Sequence, residues 1–354
     1  PSILVLKNGN LFSVQLSDLV SKQLTNGGGL KTTNQHRYWY SPDKTKIISK
    51  QNKTLLLITK DGSEPFLQSE IAGDVQGIAW RSDSNAIAIW QVLEYEETGM
   101  GLPVLSELDT YDLVMHKFTK VKQFNVYGNV ATWEKSTNSI GYTMRGGEGG
   151  AFGEYHIIDG GTGKEKIYKT SWLIPSTTPD TTEFVVFMDG DEQGTANKFI
   201  KMYSILNPDK PLRTFPSPNG SFRCSVQRTS NREYPSQCLG VEKSVWYVDG
   251  SLLKAFDTLT GIISDIAILP TVQITVPSKG TTAGNVTLLD ISNDKRILLI
   301  EQQITFNQSE YKIYDLNTKQ ITSLGFTKIG STLSQNTSKS EEENWTHEAM
   351  GFIY

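Results

Sequence analysis

The chain reads as an all-β fold, a seven-bladed β-propeller, on three observations. A turn-and-strand pattern recurs at roughly 40 to 50 residues, runs of β-branched residues with period 2 fill the sequence, and no stretch longer than about ten residues has helical periodicity. The recurring unit is an aromatic strand end, a tight polar turn and a strongly β-forming run. Trp39-Tyr40-Ser41-Pro42-Asp43 precedes Lys46-Ile47-Ile48, and Ala79-Trp80-Arg81-Ser82-Asp83 precedes Ala86-Ile87-Ala88-Ile89-Trp90. Weaker copies run from Thr132 to Ser136, from Pro175 to Asp180 and from Leu289 to Asp294. Each unit is expected to be one four-stranded blade.

The second unit shows the plan most plainly. Arg37 to Tyr40 is the innermost strand, Lys46 to Lys50 the second, Thr54 to Thr59 the third and Pro65 to Gln68 a weak outer strand, with turns at Asn52-Lys53 and Asp61-Gly62. Blades are expected at 1–30 together with 345–354, then at 36–70, 77–124, 129–170, 172–214, 222–269 and 286–324, with 326–344 as a polar connecting segment of one single domain. Val248-Asp249-Gly250-Ser251-Leu252-Leu253 echoes Leu6-Lys7-Asn8-Gly9-Asn10-Leu11-Phe12, so the chain starts at the second strand of a blade. The missing innermost strand is expected from Ala349 to Tyr354, which would pair the two ends in one blade and remove open sheet edges. A count of six follows if both ends pack elsewhere, and the sixth unit can be drawn in two registers, so counts from six to eight stay open.

Composition sets outer bounds. At 354 residues two domains would be the default, but a repeat architecture carries that length in one. Hydrophobic residues at 37% and charged residues at 20% suit a folded chain, not a disordered one. A net charge of −4 with scattered basic residues provides no footprint for nucleic acid. No apolar run is long enough to span a bilayer as a helix, and a chain that opens on Pro1 leaves any anchor or signal upstream out of view. Cys224 and Cys238 flank a polar, turn-rich stretch, which suits a disulfide across a hairpin or two buried thiols. Six Asn-x-Ser/Thr sequons, at Asn52, Asn219, Asn285, Asn307, Asn336 and Asn344, matter only in a eukaryotic secretory setting.

The Trp/Tyr-Ser-Pro-Asp turn before an apolar strand resembles the TolB-like, or WD40-like PD40, propeller repeat. Tyr40 to Asp43 is a near match, Trp80 to Asp83 lacks the proline, and the Gly-His and Trp-Asp pairs of true WD40 repeats are absent. The seventh unit is also similar to propeller segments of dipeptidyl peptidases, without a hydrolase domain behind it. The resemblance implies a fold, and it implies a cell-envelope, periplasmic or secreted setting in which such propellers act as interaction platforms or gate a catalytic partner.

Function is expected where the repeats are interrupted. Loops between second and third strands share one propeller face with the links between blades. The third unit has the longest insertion, Glu94 to Asp109, and the fourth has a Gly-rich stretch from Arg145 to Gly153; Tyr95, Met100, Leu102, Arg145 and Phe152 are the candidate contacts for a partner. Asp189 to Asn197 and Gln302 to Glu310 rise on the same side. Drift in surface loops under weak constraint accounts for them equally well.

Asp189, Asp191, Gln193 and Asn197 have the alternating oxygen spacing and following glycine of a Ca²⁺ loop, similar to integrin-type propellers, though two carboxylates are replaced and a solvated acidic turn fits as well. No other cofactor is required. The Gly-rich stretch lacks the Lys-Ser/Thr of a phosphate cradle and reads as a hairpin tip. His36, His116, His156 and His347 are scattered, and no Gly-x-Ser-x-Gly elbow occurs, so no catalytic residue is assigned. Trp39, Trp80 and Trp133 recur at one blade position and are expected in the core.

The leading expectation is a non-enzymatic extracytoplasmic module that binds a protein or glycan. The alternative is a propeller glycoside hydrolase or lyase, or the accessory propeller of a hydrolase, with carboxylates around a central channel; spacing does not show which carboxylates converge across blades, so Asp109, Asp112, Glu154 and Glu301 stay unassigned.

Overall fold

Runs that alternate aliphatic residues on both sides of a strand can bury both faces, and stacking sheet on sheet is how they do so. A computed structural model describes residues 2–7, 10–26, 38–51, 54–66, 71–96, 103–126, 128–145, 153–170, 176–177, 183–188, 199–204, 210–216, 239–276, 280–329 and 347–354. Among these residues the strands pair into seven four-stranded antiparallel sheets and one two-stranded hairpin.

The first sheet takes β1 (Ser2–Lys7), β2 (Asn10–Gln15) and β3 (Ser21–Gln23). The second holds β4 (Tyr38–Tyr40), β5 (Ile47–Gln51), β6 (Thr54–Thr59) and β7 (Gly62–Phe66). The third holds β8 (Asp74–Trp80), β9 (Ala86–Tyr95), β10 (Pro103–Asp112) and β11 (Lys117–Phe124). The fourth holds β12 (Gly128–Glu134), β13 (Ser139–Arg145), β14 (Gly153–Asp159) and β15 (Glu165–Thr170), and the fifth β16 (Ser176–Thr177), β17 (Glu183–Met188), β18 (Phe199–Ser204) and β19 (Pro211–Pro216). The sixth holds β20 (Leu239–Val241), β21 (Ser244–Asp249), β22 (Leu252–Asp257) and β23 (Ile263–Ile268). After the hairpin β24 (Gln273–Val276) and β25 (Gly280–Ala283) come β26 (Val286–Ile291), β27 (Ile297–Thr305), β28 (Gln308–Asp315) and β29 (Ile321–Ile329) of the seventh sheet, then β30 (His347–Ile353). That last strand lies beside β1, from Ser2 opposite Ile353 to Lys7 opposite His347, with a bulge at Leu4/Val5.

Among the described residues, apolar clusters fill five of the spaces between neighbouring sheets. Ile48, Leu55, Val75, Trp80, Ile87 and Tyr111 join the second to the third. Trp90, Leu108, Val130, Trp133 and Tyr142 join the third to the fourth. Further clusters join the sixth to the seventh, the seventh to the first and the first to the second. Sheets of four meandering strands, buried face to face in chain order, make this an all-β propeller.

Two kinds of tight turn repeat on the opposite side from the second-to-third strand turns. Between first and second strands, Lys44, Ser84 and Lys295 take positive φ, and Lys44 N, Ser84 N and Lys295 N donate back to Ser41, Arg81 and Ser292 at 2.8, 2.9 and 2.8 Å. The Asp43, Asp83 and Asp294 carboxylates brace these turns by accepting the amides of Thr45, Asn85 and Arg296 at 3.0, 3.2 and 3.2 Å. Between third and fourth strands, Asp159 accepts the amides of Gly161 and Thr162 at 2.9 and 2.7 Å, Asp257 those of Leu259 and Thr260 at 2.8 Å each, and Asp315 those of Asn317 and Thr318 at 2.9 and 3.1 Å. Short aspartates suit both turns because they bond locally to backbone amides.

Three expectations change. Gln302 to Glu310 is not a long loop: β27 and β28 continue as strands to a two-residue turn at 306–307. Most of Glu94 to Asp109 is also strand, leaving 96–102 between β9 and β10. Trp39 is out of step with the other two tryptophans. Trp80 pairs with Ile87 and Trp133 with Ile140, but Tyr40, not Trp39, pairs with Ile47. One residue of offset turns a side chain to the other face of its sheet, and the Trp80 indole N–H donates to the Trp39 carbonyl at 2.7 Å across the interface. All three still pack in the apolar clusters.

Near the end of β30 the neighbouring sheets come close enough to touch past it. Lys44 Nζ donates to Asp290 Oδ1 at 2.6 Å and to the Ile291 carbonyl at 2.7 Å, tying the second sheet to the seventh. Gly351 makes this possible, because a Cβ there would lie 2.8 Å from Asp290 Oδ2 and 3.0 Å from the Tyr40 hydroxyl. Tyr354 adds two bonds, its N–H to the Lys44 carbonyl at 3.1 Å and its hydroxyl accepting the Asn293 amide at 2.6 Å. Gly351→Val is expected to lower stability by about 1–3 kcal/mol through overpacking. The denaturant midpoint reads this, and an unchanged midpoint would contradict the close approach.

Candidate interaction site

The β9–β10 hairpin is long. Its strands have ten residues each, against nine and eight in β27–β28 and five or six in β1–β2, β5–β6 and β21–β22. Tyr95 lies at its upper end, 37% exposed, and Val104 on the returning strand is 41% exposed. The Tyr95 hydroxyl donates to Asp74 Oδ2 at 2.9 Å and accepts from Gln76 Nε2 at 3.2 Å, fixing the hairpin to the start of the innermost strand of its own sheet. Lys50 of β5 reaches across from the second sheet to pair with the other oxygen of Asp74 and to the Val75 carbonyl at 3.3 Å. The upper end of β9 is thus held from two sheets.

Below that end, toward the base of the hairpin, lies a buried polar layer. Glu107 and Asp109 alternate with Leu108 on β10, so they share the face of Tyr111, which packs edge-on against Phe66 of the second sheet at 5.2 Å. Asp109 is 0% and Glu107 1% exposed. Gln91 of β9 donates to Asp109 Oδ2 at 2.6 Å and accepts the Gly73 amide at 2.8 Å. Lys120 of β11 places its ammonium 3.0 Å from Glu107 Oε1. Burial, and then repulsion from Glu107, push the Asp109 carboxyl up to about 7, although the Gln91 hydrogen bond pulls it down.

A second polar cluster crosses from the third sheet to the fourth. His156 of β14, 1% exposed, stacks on Tyr142 of β13 with ring centroids 5.0 Å apart, and Tyr142 packs in turn against Trp90 and Phe124. Glu165 of β15 gathers three partners: His156 Nδ1 at 2.7 Å from Oε1, the Tyr142 hydroxyl on the same oxygen, and Lys122 of β11 on the other. Burial pushes Glu165 upward, but the hydrogen bonds from Lys122, Tyr142 and His156 outweigh it and hold the carboxyl below its ordinary value. In the sequence His156 is one of four scattered histidines. Counting register back from the hairpin tip would have set it opposite Tyr142, which is the one signal available for this cluster.

The other candidate residues are distributed as follows. Arg145 ends β13 opposite Gly153, with only its backbone described. Met100, Leu102 and Phe152, the proposed calcium ligands Asp189, Asp191, Gln193 and Asn197, and the cysteines Cys224 and Cys238 lie outside the described residues. The carboxylates weighed for a central channel are not brought together. Asp109 is buried between sheets, Asp112 sits at the far end of β10 with Arg81 Nη1 at 3.3 Å, and Glu301 belongs to β27 of the seventh sheet. The Glu154 side chain lies outside the described residues. Among the described residues no group of three or more His, Cys, Asp or Glu side chains is placed to hold a metal ion. A concavity of about 180 Å³ beside β27 and β28 contains Arg296, already bonded to Asp315 at 2.6 Å. No described helix is long and apolar enough to cross a membrane.

Because the folded value of Glu165 is lowered, its contribution to stability is complete above about pH 5 and is lost as pH falls through the folded value. Glu165→Gln is therefore expected to unfold at lower denaturant than the parent at pH 7, with the gap closing below about pH 4. A gap that stays constant with pH would contradict the network.

No protein-family model matches this chain, and no curated protein matches it. Solved structures do. A functionally unknown protein from Desulfotomaculum acetoxidans DSM 771 matches with a TM-score of 0.52 at 13% identity, covering 99% of each chain. TolB from Acinetobacter baumannii matches with a TM-score of 0.44 at 11% identity, over 97% of this chain and 79% of its own. Dipeptidyl peptidase 4 from Porphyromonas gingivalis matches with a TM-score of 0.49 at 9% identity, over 88% of this chain and 47% of its own. Similarity at such identities extends to the fold and stops there, and the fold is that of a β-propeller.

Proposed function

We propose that this chain is a non-enzymatic propeller that binds a protein or glycan partner through the face from which the β9–β10 hairpin rises. The observation that carries the reading is the hairpin itself. Its strands are the longest pair among the described hairpins, by one and two residues over β27–β28, and its upper end is fixed by Tyr95, Asp74 and Lys50, so it presents exposed Val104 and Tyr95 on a pre-ordered support. Binding surfaces gain from such order because less conformational freedom is lost on association. Tyr95, an amphipathic ring with two rotatable bonds, is a residue type enriched at the centre of interfaces.

The same proposal includes seven blades with both chain ends in one of them, a disulfide between Cys224 and Cys238, and a place outside the cytoplasm of the kind that the TolB-like turn implies. The Asp189 to Asn197 loop is read as a solvated acidic turn, with Ca²⁺ as the competing occupant.

A photo-cross-linking residue at Val104 is expected to capture the partner in cells that express the protein, while one at Thr162, on the side of the aspartate-capped turns, captures none. Equal capture from both positions, or capture from Thr162 alone, would reject the face assignment.

A further inference from the structure

We propose that Glu107 and Asp109 share one proton, and that this proton clamps the base of the β9–β10 hairpin so that its loss loosens the hairpin. Two carboxylates two residues apart on one strand face are forced together by the pleat. Here both are buried on one strand face, Asp109 Oδ1 accepts no hydrogen bond among the described residues, and Glu107 has only the Lys120 ammonium, 3.0 Å from Oε1 and 3.4 Å from Oε2. Lys120 stands near Glu107 Oε1 but is itself 71% exposed, so it offsets one charge at most. Two bare charges in this place would have to be desolvated side by side, which a single bridging proton avoids.

The surroundings admit few other sources of compensation. From β9 comes neutral Gln91, committed to Asp109 Oδ2 and the Gly73 amide; from β11 comes Lys120. The second sheet contributes Lys50, which is held by Asp74 of β8, and above them stands Tyr95. An aspartate with a raised value in the folded state adds stability that is complete below about pH 4 and is lost as pH rises through about 7. The proton then leaves to water and two carboxylates repel at the hairpin base. The clamp therefore favours an ordered hairpin in acidic surroundings. Its consequence for partner binding rests on the function proposed above, but the clamp itself does not.

Amide hydrogen exchange, corrected for the intrinsic effect of pH, tests it on the full chain. Protection of the amides of Gln91–Tyr95 and Val104–Asp109 is expected to fall at least about tenfold between pH 5.5 and pH 8.5. Amides of Leu298–Ile300 in the seventh sheet should hold steady and serve as the internal standard. Asp109→Asn keeps the shape, still accepts from Gln91 and donates permanently to Glu107, so its hairpin protection should not change with pH; Glu107→Gln should behave the same way and stands in if the first variant does not fold. Parent protection that is flat with pH, or an equal fall in both variants, would overturn the clamp. A hairpin that passes this test and yet never cross-links from Val104 would reject the binding function and leave the clamp standing.

Discussion

The pairing of β1 with β30 is the constraint on which the rest depends. Six of the four-stranded sheets are built from strands consecutive in sequence, and the first alone joins strands from the two ends of the chain. Its faces pack against the seventh sheet through Ile3, Val5 and Val14 and against the second through Leu4, Leu6 and Leu11. Removing the last strand would therefore open one sheet edge and expose two interfaces together. The Lys44–Asp290 pair, packed against Gly351, adds a direct tie between the second and seventh sheets across that strand.

Stability elsewhere comes from burial between sheets, and several of the polar groups that enter those interfaces are held by specific partners. Trp80 donates its indole N–H to a carbonyl of the preceding sheet, and Arg81, lying over the Trp133 ring at 5.3 Å, also bonds Asp83 at 2.8 Å. Asp83 is pushed up by burial but held far below the usual carboxylate range by Arg81 and Lys135, so it stays charged. The Glu107/Asp109 layer differs in kind. It places two acids at the base of the β9–β10 hairpin where one positive charge is within reach.

Fold class was legible because it is written locally. Period-2 runs of β-branched residues, the polar turn typified by Ser41-Pro42-Asp43 with its weaker copies, and the absence of helical periodicity are properties of short windows that recur along the chain. Strand ends were less legible: β9 and β10 extend past Glu94 and below Asp109 because Gln91, Glu107 and Asp109 find partners in other strands, which turns polar residues that look like loop into interior strand. Trp39 illustrates the same limit, since a shift of one residue reverses a side chain without altering the motif around it. The polar clusters were not legible. His156, Tyr142, Glu165 and Lys122 come from four strands of two sheets, and only register across those strands brings them together.

Native-state hydrogen exchange under increasing denaturant is the direct measure of whether the paired ends hold the molecule together. If they do, the slowest amides of β1 and β30 exchange only with global unfolding, at the same free energy as those of Ile87–Trp90 in the third sheet. Exchange of β1 and β30 through a local opening well below that free energy, with the third sheet still protected, would contradict it.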